Sequence, residues 1–244
     1  EPQQVMYRGK LHDDDKLLIN HHEIIIKKIL GNGIAEVESE IPLADLAEKY
    51  GTVPLPPYLH RDATADDKKR YQTVWAKEMG SAAAPTASLN MTKELIKKLQ
   101  DKGVQIKYLT LHVGLGTFLP IRTDNVEEHK MHSEWFQIPA DTIEAIKATK
   151  AAGHRVIAVG TTVTRMLEFW AKTGKTEGED NIFIYPGFEF KAIDALVTNF
   201  HAPKSTVLML TAAFAGWDHL KPAYDHAVKN GYKLLSYGDS CFIY

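Results

Sequence analysis

From Asp62 onward the chain alternates helical and strand patterns, and this alternation constrains its fold more than any other feature. Helices interleaved with strands must bury their apolar stripes on the faces of a sheet, so the pattern specifies a layered α/β domain. Thr92 is placed to cap a helix running through Leu99, with Gly103 beyond its end. Residues 104–113 read as a strand entering Gly114-Leu115-Gly116, 140–152 as a helix ending at Gly153, and 155–159 as a buried strand. Further helices are predicted over 162–172, 204–214 and 222–229, with strands at 182–185 and 232–235.

The first 45 residues have a different character. Residues 17–20 and 23–30 are rich in Leu and Ile, Gly31-Asn32-Gly33 is a hairpin turn, and 34–41 alternates between two faces. A small β unit over 1–45 is therefore expected, ahead of an α/β domain over 46–244. Residues 42–50 read as a short helix stopped by Gly51. The prolines of Val53-Pro54-Leu55-Pro56-Pro57-Tyr58 then exclude regular structure, as a boundary or as a rigid surface linker.

With 244 residues, 44% hydrophobic and 25% charged, the chain can bury its core without disulfides or a structural metal. Cys241 is its single cysteine, which excludes a disulfide within the chain and fits a reducing compartment, the cytoplasm. The longest apolar stretch, 207–216, is broken by Thr211 and is too short to span a membrane. The first twenty residues are polar, with Asp13-Asp14-Asp15, and do not form a signal peptide, although the chain opens with Glu1 rather than Met. A net charge of −2 gives no general attraction to nucleic acid. RNA contact would need a local patch, such as Lys68, Lys69 and Arg70 or Lys97 and Lys98.

Ligands of open α/β sheets bind beyond the carboxyl ends of strands, and four polar turns stand there. In His112-Val113-Gly114-Leu115-Gly116-Thr117-Phe118, Gly114 and Gly116 let backbone approach a ligand, while His112 and Thr117 supply polar groups; a GxG by itself is a weak signal and more often marks a plain tight turn. His129-Lys130-Met131-His132-Ser133-Glu134 places His132 and Glu134 on one face if a strand begins there. That suits acid–base chemistry, a metal or a structural role. Gly160-Thr161-Thr162-Val163-Thr164-Arg165 opens a helix with free N–H groups that favour an anion, or with hydroxyls that simply cap it. Asn199, His201, Lys204 and Ser205 crowd a loop before an apolar helix, as a binding loop or as a solvated one whose polar groups face water, and Ser236-Tyr237-Gly238-Asp239 forms a similar turn near the end. A GxGxxG fingerprint, a Walker loop, HExxH and a Gly-x-Ser-x-Gly elbow are all missing from the sequence.

Taken in order, these segments resemble the S-adenosylmethionine:tRNA ribosyltransferase-isomerase family of queuosine biosynthesis. The resemblance rests on Val53-Pro54-Leu55-Pro56-Pro57-Tyr58, Arg70-Tyr71-Gln72-Thr73-Val74 and Gly80-Ser81-Ala82-Ala83-Ala84-Pro85-Thr86-Ala87. It continues through 111–118, 129–134, 158–165 with Leu167-Glu168, Phe183-Ile184-Tyr185-Pro186-Gly187, 198–205 and 236–239, and so covers most of the chain.

The resemblance implies transfer of the ribosyl group of S-adenosylmethionine to 7-aminomethyl-7-deazaguanine in tRNA, followed by isomerisation to epoxyqueuosine with release of adenine and methionine. S-adenosylmethionine is then the ribosyl donor, and no metal is expected. The proton-transfer candidates are His112, His132 and His201, with Glu134 as base or orienting group. Arg165 with Gly160, Thr161 and Thr162 is expected to hold the methionine carboxylate or a tRNA phosphate, and Tyr71 or Tyr237 to face the sulfonium. Ser81, Pro85, Thr86, Gly114, Gly116, Thr117, Tyr185, Asn199, Lys204 and Asp239 complete the expected substrate-binding set.

Two departures accompany the resemblance. Ser88-Leu89-Asn90-Met91-Thr92 stands where the family has Gly-Leu-His-Phe-Thr, so Asn90 cannot move a proton. The family's Arg-Asp-x-Ser-Arg-Leu and Asn-Asp-Thr-x-Val-x-Pro-Ala-Arg segments are also missing. Residues 1–45 are therefore expected to be at most a reduced, barrel-like β unit, in a truncated chain or a short relative with altered chemistry. Two other functions remain open: a weakened relative that only binds RNA or a nucleoside, and a metal-dependent hydrolase built on His129, His132, Glu134 and His201.

Overall fold

The computed structural model describes residues 3–7, 9–31, 33–77, 81, 83–113, 125–129, 131 and 133–244, in two units, 1–68 and 69–244. In the first unit β1 (Gln3–Met6), β2 (Lys16–Ile19), β3 (His22–Gly31) and β4 (Ile34–Ser39) form one antiparallel sheet in the order β1-β4-β3-β2. The β3–β4 connection falls at the expected hairpin, with Gly31 and Gly33 at φ 89° and 75°, a backbone open to glycine at little cost. Ile24, Ile26, Ala35 and Val37 line one face of the sheet and are buried with Leu46 of α1 (Leu43–Tyr50). Among the described residues this sheet is open, with β1 and β2 as unpaired edges, so the expected barrel-like closure is not seen.

The second unit holds two three-stranded sheets. One is antiparallel, β5 (Thr110–His112), β6 (Glu134–Gln137) and β8 (Glu177–Asp180), in the order β5-β6-β8. The other contains β7 (Ile157–Val159), β9 (Ala195–Asn199) and β10 (Ser240–Ile243), in the order β10-β9-β7. β7 runs parallel to β9, which requires a long crossover, and α5 (Thr161–Thr173) lies within it. The remaining helices are α2 (Asp67–Arg70) at the unit boundary, α3 (Lys93–Asp101), α4 (Ala140–Ala151), α6 (Thr206–Ala215) and α7 (Trp217–Lys229). Thr92 and Ser205 cap α3 and α6 through their hydroxyls. Phe136, Ile143, Ala158, Met166, Leu196 and Leu210 join both sheets to α4, α5 and α6 in one core. Burying each of the larger of these side chains contributes about 1.5–3 kcal/mol. None of the described helices is long and apolar enough to cross a membrane.

Four predicted elements differ from those observed. Residues 104–113 are strand only over β5, because the Val104 N–H turns back to Leu99 O to close α3. Residues 182–185 are not a strand: the Ile182 N–H bonds Asp180 Oδ1, and Ile184 is apolar because it enters the core, not because it pairs. Residues 232–235 instead form a turn closed by mutual bonds between Lys233 and Asp239, and pairing resumes at β10. α7 begins at Trp217, five residues before Pro222, which lies inside it.

Candidate functional site

The carboxyl ends of β7 and β9 carry the first group of polar residues. Gly160 ends β7 and N-caps α5 at φ 105°, ψ 148°, a conformation suited to glycine. Its N–H continues the ladder to Val197 O of β9 at 2.8 Å. The 3-10 turn Thr86–Asn90, entered through Pro85, lies against β9. At one end of this turn Thr86 Oγ1 donates to Asn199 Oδ1 at 3.2 Å, and at the other Asn90 Nδ2 donates to Gly238 O and Ser240 Oγ at 3.0 and 2.8 Å. Thr86, Gly160 and Asn199, which are far apart in sequence, are thus brought to the carboxyl end of the β7–β9 pair. Asn90 acts there as a hydrogen-bonding tie. Asn199 is only 2% exposed, and its Nδ2 has no hydrogen-bond partner among the described residues.

A second group surrounds Arg165, one turn into α5. Its Nη1 donates to Glu134 of β6 at 3.1 Å and its Nη2 to Asp180 of β8 at 2.8 Å. All three residues are buried, Arg165 at 6%, Glu134 at 3% and Asp180 at 0% exposure. Burial pushes the Asp180 carboxyl above its ordinary pKa, against the opposing pull of Arg165. The two Nη groups of the guanidinium expected to receive a substrate anion are therefore already bonded to carboxylates, while its buried Nε has no partner among the described residues. Asp180 was not among the expected site residues, and no local pattern marks it: it ends a polar edge strand, and its partner lies 15 positions away in α5.

His112 ends β5, with its ring edge-on to Trp135 of β6 at 4.9 Å between centroids. Ser81 braces the same strand, donating to Leu111 O and accepting from the Val113 N–H at 2.8 Å. His201 follows β9. Its Nε2 lies 2.9 Å from Thr198 Oγ1 and its N–H donates to Tyr224 Oη at 2.8 Å. Burial lowers the His201 pKa to about 4, so its imidazole is neutral at pH 7. Tyr71 packs edge-on against Tyr237 at 5.5 Å, and Arg70 stacks over the same Tyr237 ring. Tyr185 packs on Phe183, Asp239 closes its own turn onto Lys233, and Lys204 is exposed at φ 58° before α6. His132, Gly114, Gly116 and Thr117 lie outside the described residues.

The model of the family "Queuosine biosynthesis protein" matches residues 3–243. A relative from Pelodictyon phaeoclathratiforme, named S-adenosylmethionine:tRNA ribosyltransferase-isomerase, is 56% identical over 252 aligned positions, covering 100% of this chain and 74% of the relative. One of the same name from Chlorobium luteolum is 54% identical, with 100% and 74% covered. The crystal structure of S-adenosylmethionine tRNA ribosyltransferase from Thermotoga maritima aligns at a TM-score of 0.55 and 33% identity, covering 96% of this chain and 67% of that one.

Proposed function

This chain belongs to the queuosine biosynthesis protein family, and on that basis we infer that it is an S-adenosylmethionine:tRNA ribosyltransferase-isomerase. The observation that carries the reading is the family match over 3–243 together with relatives of that name at 54–56% identity along the whole chain. The proposed acceptor is 7-aminomethyl-7-deazaguanine in tRNA and the product epoxyqueuosine, in the cytoplasm. Residues 46–244 are proposed as the catalytic domain, and the open sheet before it as part of a barrel-like unit.

The chemistry follows from the donor. The positive sulfur acidifies the ribose C5′ hydrogens, so a base removes one proton while adenine leaves as its nitrogen takes up another. The C5′ electron pair opens the ribose at C4′–O4′, and the C1′ aldehyde forms as adenine departs. The acceptor amine, losing a proton to a base, adds at C4′, and the C5′ carbanion this regenerates bonds to C1′. The C1′ oxygen then displaces methionine from C5′ to close the epoxide. His112, held by the Ser81-braced strand and Trp135, is proposed for one proton transfer, and His132 for the other. His201, neutral through burial, is a poor base at pH 7 and is proposed to hydrogen-bond the substrate or order the Asn199 loop. Glu134 and Asp180, tied to Arg165, hold α5 against β6 and β8 and so orient the polar start of α5. Tyr71 and Tyr237, packed together, offer a face to the sulfonium.

The relatives' names do not favour either a binding-only protein or a metal-dependent hydrolase. Glu134, a ligand in the hydrolase scheme, accepts from Arg165 instead. The deciding experiment mixes the chain with S-adenosylmethionine and deazaguanine-containing tRNA and follows free adenine. Stoichiometric adenine with ribosyl transfer to tRNA is expected; no adenine above the tRNA-free control refutes the reading.

A further inference from the structure

We propose that the first turn of α5 and the Asn199 side chain form the receptor for the carboxylate of S-adenosylmethionine. This rests on the functional reading above and names the part of the donor that is held at this edge of the sheet.

α5 has 13 residues, no side chain caps its N-terminus, and its first turn carries no acidic residue. The N–H groups of a first turn have no partner four residues back, and they stand at the positive end of the helix dipole. Gly160 cannot cap with a side chain, and its own N–H is used by Val197 O. Thr164 turns its hydroxyl back to Gly160 O, away from the free donors.

A second observation points to a ligand. Asn199 Oδ1 is taken by Thr86, which leaves Nδ2 as a buried donor without a partner among the described residues. An orphaned buried N–H is destabilising unless something accepts from it. Its position is tied to the helix in two ways. β7 and β9 pair Val159 with Val197, and the Gly160 N–H at the entry to α5 still bonds Val197 O, two residues before Asn199. Ala87, next to Thr86, lies 3.7 Å from the point where a Cβ on Gly160 would stand. The free amide and the uncapped turn therefore occupy one neighbourhood.

These groups are donors gathered at a positive helix end, so the matching group is an anionic oxygen pair. In S-adenosylmethionine the sulfur and amine are cationic and the nucleoside is neutral, which leaves the carboxylate. A tRNA phosphate offers similar oxygens, but Asn199 at 2% exposure suits a small inserted group better than an RNA backbone. Arg165, engaged by Glu134 and Asp180, is not needed for this contact.

The test is calorimetry on the full chain with S-adenosylmethionine and with its decarboxylated counterpart, which keeps the sulfonium, amine and nucleoside. Wild type is expected to bind the carboxylate form roughly 10- to 100-fold tighter, the range for a lost charge-assisted hydrogen bond. Asn199→Ala should remove most of that preference while leaving the decarboxylated ligand within about twofold. Asn199→Asp, of the same shape, should weaken the carboxylate form further and leave the decarboxylated one no weaker. Equal wild-type affinities overturn the proposal, a result that needs no variant to fold. Equal losses for both ligands in Asn199→Ala also overturn it, as does loss of tRNA affinity alone in Asn199→Asp. Wild type that discriminates the ligands yet releases no adenine supports this receptor and sinks the functional reading instead.

Discussion

Replacing Arg165 by methionine removes the cation that bridges two buried carboxylates while nearly keeping the side-chain length. Glu134 and Asp180 are 3% and 0% exposed, so water cannot take over the role of the guanidinium. Breaking a buried pair by removing one partner costs about 3–5 kcal/mol, because the remaining charge is uncompensated. Against a total stability on the order of 5–15 kcal/mol, such a loss is readily measured. Urea unfolding followed by tryptophan fluorescence is the assay. Trp75, Trp135, Trp170 and Trp217 are the four tryptophans of the chain, and all lie in the 69–244 unit.

The deficit should also depend on pH. Burial already raises the Asp180 pKa with Arg165 present, and removing the guanidinium raises it further. A carboxyl whose pKa is higher in the folded state binds more protons folded than unfolded. Lowering the pH from 7 to 5 therefore returns part of the loss. Adding Glu134→Gln and Asp180→Asn, which neutralise the carboxylates, should return most of it at pH 7. A loss below about 1 kcal/mol, the scale of an exposed ion pair, would falsify the argument. So would a deficit left unchanged by the two amide substitutions.

Three further outcomes follow from the same geometry. His201, with a pKa of about 4 against an ordinary 6.5, stays neutral in the folded chain while the unfolded chain protonates. Its stabilising contribution of up to about 3 kcal/mol is full above pH 6.5 and disappears as pH falls toward 4; a His201→Gln denaturation midpoint with the wild-type slope across that window contradicts this. Glu168, 1% exposed, accepts from the N–H groups of Lys191, Ala192 and Ile193 at 2.8, 2.9 and 3.1 Å. Glu168→Ala orphans all three and should destabilise by at least ~3 kcal/mol in urea, whereas a midpoint within error of wild type would show that the segment relaxes to water. Gly160→Ala forces a Cβ onto φ 105° and should cost about 1–3 kcal/mol in backbone strain. Unchanged melting and unchanged adenine release in that variant would mean the α5 entry is less constrained than its backbone indicates.

Much of the fold was legible because it is written in local chemistry. Thr92 and Gly103 bracket α3, Gly51 stops α1, Gly31 and Gly33 turn the β3–β4 hairpin, and the apolar spacing of 140–152 marks α4. Those signals act within a few residues, where propensity, capping and period suffice. The same holds for the polar strand ends of β5 and β9, which carry His112 and Asn199, and for Gly160 directly after β7.

Local pattern failed where a residue's character is decided by a distant partner. Glu177–Asp180, polar apart from Gly178, is a strand because it pairs with β6 some 40 residues earlier, and its last residue meets Arg165 inside the core. Ile184 reads as strand because burial, not pairing, selects its side chain. The chain itself therefore determined where helices start and stop, which strand ends are polar, and which family it resembles. Only the tertiary structure decided that Arg165 is held by two carboxylates while Asn199 keeps a free donor beside α5. Those facts depend on contacts spanning 15 to 113 residues, and no short-range rule reaches that far.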